Sequence, residues 1–236
     1  MEKVMVVLRR AEADEQWCWR LRTSVTSALS ALELPGLTVN VRDDAVRASL
    51  MTLTTLDPPA VAVVSIWTQQ YYGTAVASAI EQLSAECDCL AAYLVTESVP
   101  MAAPDTPPGA RTRGLANVAL LRRPADLDQS TWLARWHLDH TPVAIATQAT
   151  FGYTQNTVVR ALTDGAPRID AIVEELFPIE AVSDLYAFFG AGDDADLADR
   201  MGRMAASVAR FGADRDIDTV PTSRYPMWGS APTLST

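Results

Sequence analysis

The sequence predicts an α+β protein built from two tandem units, each with the element order β-α-β-β-α-β. An apolar strand that ends in an arginine pair occurs twice, at residues 3–10 and 116–123. Each copy is followed by a helix that carries tryptophan, and a proline-rich stretch separates the two halves. Because an internal repeat indicates a duplicated structural unit, we expect the same architecture in both halves.

The elements of the first half follow from its apolar pattern. Short runs rich in β-branched residues predict strands, and longer stretches with apolar residues at helical spacing predict helices. The pair Pro35-Gly36 ends the first helix, because proline cannot continue it and glycine is favoured just after a helix end. The predicted strands are 4–8, 38–41, 61–67 and 90–95, and the predicted helices are 15–32 and 72–87.

The second half repeats this order. Its predicted strands are 118–121, 152–161, 169–177 and 219–225, and its predicted helices are 130–147 and 195–211, with a short helical turn within 181–189. Pro142 lacks the N–H that the Leu138 carbonyl would accept, so the first of these helices is expected to kink or restart there. We therefore expect a free acceptor close to His140.

The domain boundaries are predicted from proline content. The stretch 99–112 is too rich in proline to be a helix or a central strand, so it is predicted to be a semi-rigid linker between units 1–98 and 113–230. The order β-α-β-β-α-β is the ferredoxin-like plan, in which helices cover one face of an antiparallel sheet. A second copy can cover the other face, so we expect the two four-stranded sheets to meet in a barrel-like core.

Composition excludes several function classes. The chain has 236 residues, of which 49% are hydrophobic, and 19 basic against 29 acidic residues give a net charge of −10. No basic run exceeds two residues, which argues against nucleic acid as a partner. The absence of a long apolar run and of a signal peptide predicts a cytoplasmic protein without a membrane partner. Cys18, Cys87 and Cys89 are expected to be free thiols, which fits that compartment.

Both histidines lie in one stretch, residues 136–143, within the kinked helix. Helical spacing places Trp136, His137 and His140 on the face predicted to be buried. A partly buried imidazole at His140 can take up and return a proton near neutral pH, so it is the predicted catalytic residue. The alternative is a core histidine tied to a backbone carbonyl. Two histidines without a third ligand make a poor zinc site, and no metal is predicted.

Three segments of the second half resemble the EthD family of the dimeric α/β-barrel superfamily. They are 136–143, similar to the family's Trp-x-x-acidic-His-x-Pro helix, 153–159, similar to its Tyr-x-Gln-Asn-x-Val strand, and 170–177, similar to its Asp-Gly strand, with Ala171 where glycine is usual. The first half resembles the family only in outline, because Thr23 stands where the histidine is expected and no Tyr-x-Gln-Asn occurs.

The resemblance implies a fused dimeric α/β-barrel with one active site and one degenerate copy. It covers residues 114–228. Family members include cofactor-free oxygenases, decarboxylases and dehydratases or cyclases that act on polyketide-like aromatics, and fold similarity does not choose among them. Other barrels of the superfamily bind haem through a histidine, which leaves a haem-binding His140 as a minority alternative.

Alternate side chains of a strand share a face, so Tyr153 and Gln155 point one way and Thr154 and Asn156 the other. We expect Tyr153 or Asn156 to hold a substrate oxygen near His140, with the amides completing an oxyanion-binding set. The alternative is that these polar side chains only satisfy hydrogen bonds within the sheet or at its edge. The remaining residues predicted to line a substrate pocket or its mouth are Trp132, Trp136, His137, Phe188, Arg224, Tyr225 and Trp228.

These observations give one main hypothesis and two alternatives. The main hypothesis is a cofactor-independent lyase or cyclase that acts on a small hydrophobic molecule with a carbonyl or phenol group, because no oxygen-activating group is visible. The first alternative is a cofactor-free monooxygenase that acts on the same class of substrate. The second is a non-catalytic protein that binds a hydrophobic metabolite. Further pairing into a homodimer is left open.

Overall fold

The computed structural model describes residues 1–229. Its strands are β1 (Glu2–Arg9), β2 (Gly36–Val41), β3 (Ala60–Thr68), β4 (Cys89–Met101), β5 (Leu115–Leu121), β6 (Gly152–Ala161), β7 (Ala171–Phe177) and β8 (Asp218–Trp228). Its α-helices are α1 (Glu15–Arg20), α2 (Thr26–Ser30), α3 (Thr74–Ser84), α4 (Gln129–Ala134), α5 (Thr141–Thr147), α6 (Leu185–Phe189) and α7 (Asp194–Phe211). No helix within residues 1–229 is long and apolar enough to cross a membrane.

The strands close into an antiparallel barrel in the order β1-β3-β2-β8-β5-β7-β6-β4. Each half supplies four adjacent strands, and the halves join where β2 pairs with β8 and β4 pairs with β6. This arrangement confirms the predicted fold class, an α+β fold in which two ferredoxin-like units form one barrel. Closure leaves none of these strands as an unpaired edge.

Alternation along the strands separates an inner layer from two outer layers. Inside the barrel, apolar side chains such as Met5, Val63, Val118 and Ile172 pack together. Outside, the helices of the first unit cover one half of the barrel and the helices of the second unit cover the other. A side chain on a strand therefore points either into the barrel or under the helices of its own unit.

The seam between β2 and β8 is reinforced by a buried carboxylate. Asp43, which follows β2, accepts hydrogen bonds from Ser223 Oγ at 2.7 Å and from the Tyr225 hydroxyl at 2.8 Å, both on β8. Arg22 adds an ion pair to Asp43 at 3.0 Å. Charge-assisted hydrogen bonds of this kind are stronger than neutral ones, so Asp43 ties the two halves together.

Strand β4 continues into the segment that the sequence predicts to be a linker. It reaches Met101, which pairs with Tyr153 on β6, so the first residues of the predicted linker belong to the barrel. The pairing register shifts between Ser98 and Met101, and Pro100 lies within this irregularity. Proline is tolerated at such a position because the local ladder does not need its missing N–H.

The first helix of each unit is interrupted by a π-helical stretch, Leu21–Val25 in one and Arg135–His140 in the other. Asp14 and Asp128 cap the two helices, and the π-helical stretch begins at the same distance from each cap. The kink expected near Pro142 therefore takes the form of a π-helical turn, after which Pro142 lies in the first turn of α5, where its missing N–H costs nothing.

The two caps also correct the alignment of the repeats. Counted from the caps, Arg22 corresponds to Trp136 and Thr26 corresponds to His140. Thr23, which the sequence pattern places where the histidine is expected, is therefore not the counterpart of His140. Trp19 is in fact exposed, whereas Trp136 is buried, so the two tryptophans are not equivalent.

Gly114 provides a test of the junction between linker and barrel. It has a φ of +89°, and a Cβ there would overlap the carbonyl oxygen of Phe177. Gly165 has a φ of +67° with open space around it. We expect Gly114→Ala to lower the free energy of unfolding by about 3 kcal/mol or more and Gly165→Ala by about 1 kcal/mol. Urea unfolding measures both, and equal losses would contradict the close approach at Gly114.

Candidate active site in the second unit

Three polar side chains form a row across neighbouring strands of the second unit. Tyr153 on β6 is the direct partner of Glu175 on β7, which is in turn the partner of Asn117 on β5. Directly opposed residues have Cβ atoms about 4.5–5.5 Å apart. All three are buried, on the face of the sheet that the helices cover. They therefore form one polar row between the sheet and the helices.

The equivalent row of the first unit is entirely apolar. Val4 on β1 pairs with Ile66 on β3, which pairs with Leu37 on β2. These three residues belong to the hydrophobic core under the helices of the first unit. Burial of polar groups costs free energy unless they are satisfied, so core packing alone does not favour the polar row of the second unit. The difference makes the second unit the candidate site.

Glu175 has the most unusual environment in the row. Burial raises the pKa of its carboxyl group to about 8, and no hydrogen bond or neighbouring charge offsets that rise. A carboxyl group with a pKa near the working pH of an enzyme can both accept and release a proton. Glu175 therefore has the properties of a general acid–base group.

Tyr153 lies beside Glu175 and beneath the π-helical stretch. Burial raises the pKa of its phenol far above the usual range, and the nearby Glu175 adds to the rise, while the Trp136 and Thr141 side chains act in the opposite direction. The phenol therefore stays protonated and can act as a hydrogen-bond donor.

Several buried polar atoms around the row have no hydrogen-bond partner among residues 1–229. Two are donors, the indole N–H groups of Trp132 and Trp136, and two are acceptors, the side-chain oxygens of Asn117 and Gln148. The two indole rings are 5.5 Å apart. Unsatisfied buried polar groups cost about 1–3 kcal/mol each, so these four atoms are available to hydrogen-bond a guest molecule or a water.

His140 lies between helices rather than in this row. Its Nδ1 is 3.0 Å from Ser207 Oγ, and its ring packs against Phe211 at 4.6 Å between centroids, both on α7. Burial lowers its pKa to about 4, so the imidazole is neutral at physiological pH and is a weak base. His137 is partly buried, its ring centroid lies 4.5 Å from that of Trp136, and burial lowers its pKa as well.

The side chains of β6 alternate between the two faces of the sheet, as expected for a strand. Gln155 points toward the helices, where its Nε2 donates to Thr141 Oγ1 at 2.7 Å. Asn156 points into the barrel, where its Nδ2 donates to the Ile172 carbonyl at 3.0 Å. Tyr153 and Gln155 are therefore the pair that shares a layer with Trp136, and Asn156 lies on the opposite side of the sheet.

The other predicted pocket residues are distributed over several environments. Trp132 and Trp136 pack over the sheet of the second unit, and Phe188 stacks on Phe177 beyond the end of the polar row. Three residues of β8 lie elsewhere: Arg224 bonds Glu174 inside the barrel, Tyr225 is part of the Asp43 seam, and Trp228 Nε1 donates to the Leu34 carbonyl.

Glu175 and Asn117 are not among the site residues predicted from the sequence. One signal was present: the repeated strand aligns Asn117 with Val4, which is a polar residue against an apolar one in an otherwise similar segment. Glu175 follows Glu174 within an apolar strand, and which of the two is buried depends on strand register, which the sequence leaves open. Within residues 1–229 no three His, Cys, Asp or Glu side chains come close enough to hold a metal ion.

Comparison with known proteins defines the fold but not the family. No family model and no curated protein matches the chain. Among solved structures, an anthrone oxidase-like protein matches with a TM-score of 0.53 and 10% identity, over 100% of this chain and 97% of its own. A chlorite dismutase from Candidatus Nitrospira defluvii, in complex with imidazole, matches with a TM-score of 0.48 and 11% identity over 96% of this chain and 92% of its own.

A protein from Lactobacillus acidophilus NCFM that is named a candidate monooxygenase has a TM-score of 0.49 and 10% identity, over 98% of this chain and 99% of its own. The likeness to the anthrone oxidase-like structure, at 10% identity, shows the fold alone, an α/β-barrel of the dimeric type contained here in one chain. The resemblance to the EthD family stays a prediction.

Glu175 should make the protein less stable in alkali. The folded-state pKa is about 8 against a usual value of 4.5, so its stabilising effect is complete below pH 4.5 and is lost as pH rises through 8. We expect the wild type to lose roughly 4 kcal/mol more stability than Glu175→Gln between pH 5 and pH 9. Urea unfolding at both pH values measures the difference, and parallel losses would show that the carboxyl group is solvated.

His140 should have the opposite effect in acid. Its pKa falls from 6.5 to about 4 on folding, so the stability it gives is complete above pH 6.5 and is lost as pH falls toward 4. We expect the wild type to lose roughly 2 kcal/mol more than His140→Gln between pH 7 and pH 4.5. His137→Gln is the matched control and should reduce the loss less, because His137 is less buried. A larger reduction of the loss in His137→Gln than in His140→Gln would contradict the deeper burial of His140.

Proposed function

We propose that the second unit is the active site of a cofactor-independent enzyme of the oxygenase type. Its substrate is a hydrophobic aromatic molecule that carries a carbonyl or phenol group. The observation that supports this proposal is the polar row of Asn117, Glu175 and Tyr153, set among aromatic side chains at positions where the first unit has Val4, Ile66 and Leu37. The row supplies an acid–base group and a hydrogen-bond donor side by side.

The proposed reaction begins with proton transfer. The Glu175 carboxylate removes a proton from an acidic CH₂ group of the substrate, and the resulting negative charge is delocalised onto the substrate oxygen. The Tyr153 hydroxyl and the Trp136 indole N–H donate hydrogen bonds to that oxygen. Donors placed where charge develops lower the barrier to such a step. The unpartnered state of Trp136 Nε1 supports this role.

Molecular oxygen is the oxidant in the second step. The carbanion adds to O₂ to form a C–O bond, and the protonated Glu175 returns its proton to give a hydroperoxide. Loss of water then breaks the O–O bond and the remaining C–H bond and leaves a new carbonyl group. One O₂ is consumed and one water is released for each CH₂ converted to C=O. All electrons come from the substrate, so the reaction needs no electron-carrying cofactor.

The choice of an oxygenase over the lyase or cyclase first favoured rests on the solved structure with a TM-score of 0.53, which is named anthrone oxidase-like. Anthrone is a flat tricyclic ketone with an acidic CH₂ group opposite its carbonyl, so it has a proton that Glu175 would remove and an oxygen that Tyr153 and Trp136 would bind. In this proposal His140 positions the π-helical stretch against α7 through Ser207, and Asn156 does not contact the substrate.

The test uses anthrone as the probe and follows oxygen uptake together with anthraquinone absorbance. We expect Glu175→Gln to reduce the rate by about 10²–10⁴, which is the usual contribution of a general base. The wild-type rate should rise with pH through about 8, where the Glu175 carboxylate forms. Asn117→Val, which restores the residue type of the first unit, should raise KM, and His140→Gln should retain the shape of the pH profile.

Four outcomes would overturn the proposal. Turnover by folded Glu175→Gln at the wild-type rate would show that Glu175 is not the general base. Conversion without oxygen uptake would make the protein a lyase or cyclase. Tight binding without conversion would make it a carrier. A Soret band in the purified protein that disappears in His140→Ala would make it a haem protein.

A further inference from the structure

The barrel has a cavity at one end that contains none of the residues predicted from the sequence to form a site. Strand β1 pairs with β4 only as far as Val95, whereas β4 runs on to Met101 beside β6. This difference in strand length leaves a notch in the rim. The notch holds a cavity of about 570 Å³ lined by Met1, Glu2, Lys3, Trp67, Leu94, Val95, Thr96, Glu97 and Val159. The volume falls in the range of small-molecule sites.

Lys3, which lines this cavity, is the only lysine of the chain. All other basic residues among the 236 are arginine. Lys3 is also buried, with 7% of its side chain exposed, although lysine is among the residues least often buried. Lysine differs from arginine in one chemical respect that matters here: it can lose its proton and become a nucleophile.

The surroundings of Lys3 favour loss of the ammonium proton. Its ammonium group pairs with Glu97 on β4 and lies 4.7 Å from the centroid of the Trp67 ring on β3. Glu174 on β7 also favours the charged form, and Arg224 on β8 opposes it. Burial outweighs both carboxylates, so the pKa of Lys3 is lowered.

A carboxylate hydrogen-bonded to the amine is also present. Glu97 is the acceptor for Lys3 Nζ, and 17% of its side chain is exposed, so it reaches both the amine and the cavity. A positioned carboxylate can take the proton that the amine loses and deliver it to a leaving hydroxyl group. Lys3 and Glu97 together thus have the two groups that imine formation needs.

We propose that Lys3 captures a carbonyl compound in this cavity as an imine. The neutral amine attacks the carbonyl carbon and forms a C–N bond, and the two protons of the nitrogen pass one after the other through Glu97 to the carbonyl oxygen. The C–O bond then breaks, water leaves, and a C=N bond joins the ligand to Lys3. No oxidant or reductant takes part, because the step only exchanges the carbonyl oxygen for the lysine nitrogen with release of one water.

The ligand class follows from the walls of the cavity. Trp67 offers a flat aromatic surface beside the amine, and Leu94, Val95 and Val159 are apolar. These walls suit an aromatic aldehyde or ketone of small size. The cavity lies at the barrel rim and shares no residue with the polar row of the second unit, so this proposal stands apart from the proposed function.

The experiment is reductive trapping with 1-naphthaldehyde and sodium cyanoborohydride at pH 7. An imine at Lys3 is reduced to a stable secondary amine, which adds the mass of the aldehyde less one oxygen atom. Peptide fragmentation separates a Lys3 adduct from one at the N-terminal amine. We expect the wild type to be labelled at Lys3, and 1-naphthylmethanol, which has no carbonyl group, to slow the labelling by competition for the cavity.

Two variants supply the matched controls. Lys3→Arg retains the positive charge and should give no adduct at position 3. Lys3→Arg combined with Arg203→Lys places an ordinary lysine on α7, where 51% of the Arg203 side chain is exposed. We expect Lys3 in the wild type to be trapped at least tenfold faster than this exposed lysine. Thermal unfolding of each variant establishes that it is folded. If Lys3→Arg does not fold, Lys3→Met replaces it as the control without an amine at position 3.

Glu97→Gln tests the proton path. It should slow trapping at Lys3 and change its pH dependence, because the amine loses both its carboxylate partner and its proton acceptor. Trapping of wild-type Lys3 no faster than of the exposed lysine would overturn the proposal, and so would a rate unaffected by Glu97→Gln. Loss of oxygen uptake in Glu175→Gln with normal trapping at Lys3 would show that the two sites act independently.

Discussion

Edge-to-edge pairing of two sheets within one chain is the constraint on which the rest of the structure depends. A single ferredoxin-like sheet has helices on one face only, so its other face must be buried by a partner. Here β2 pairs with β8 and β4 pairs with β6, and the inner faces of both halves become one apolar interior. The buried carboxylate of Asp43 holds one of these seams by accepting hydrogen bonds from β8.

Closure also determines where chemistry is possible. Apolar side chains form the core of the barrel interior, and two of the places that hold buried polar groups are the space under the helices of the second unit and the uneven rim beside β1. In both places burial changes the proton affinity of one group, raising the pKa of Glu175 and lowering that of Lys3. Both shifts favour the neutral form, because burial penalises the charged form of each group.

The fold was largely predictable from the sequence, because the repeated strand and the alternation of apolar runs depend on local pattern. The site was less predictable. The sequence pattern singles out His140, because histidine is rare in this chain and lies here within a motif. In the structure, however, its ring packs against Phe211 and Ser207 between two helices. Glu175 and Asn117 become neighbours only through the register of β5 and β7, which no local pattern specifies. The cytoplasmic location and the homodimer stay predictions.

The covalent joining of the two halves has a consequence for evolution. In an assembly of two identical chains, every substitution appears twice, so an acidic group introduced beneath one set of helices would be introduced beneath the other as well. Here position 117 carries asparagine while its counterpart at position 4 carries valine, and the single lysine has alanine at its counterpart, position 116. Because the halves are joined in one chain and need not be identical, each can carry a buried polar side chain at a position where the other keeps an apolar one.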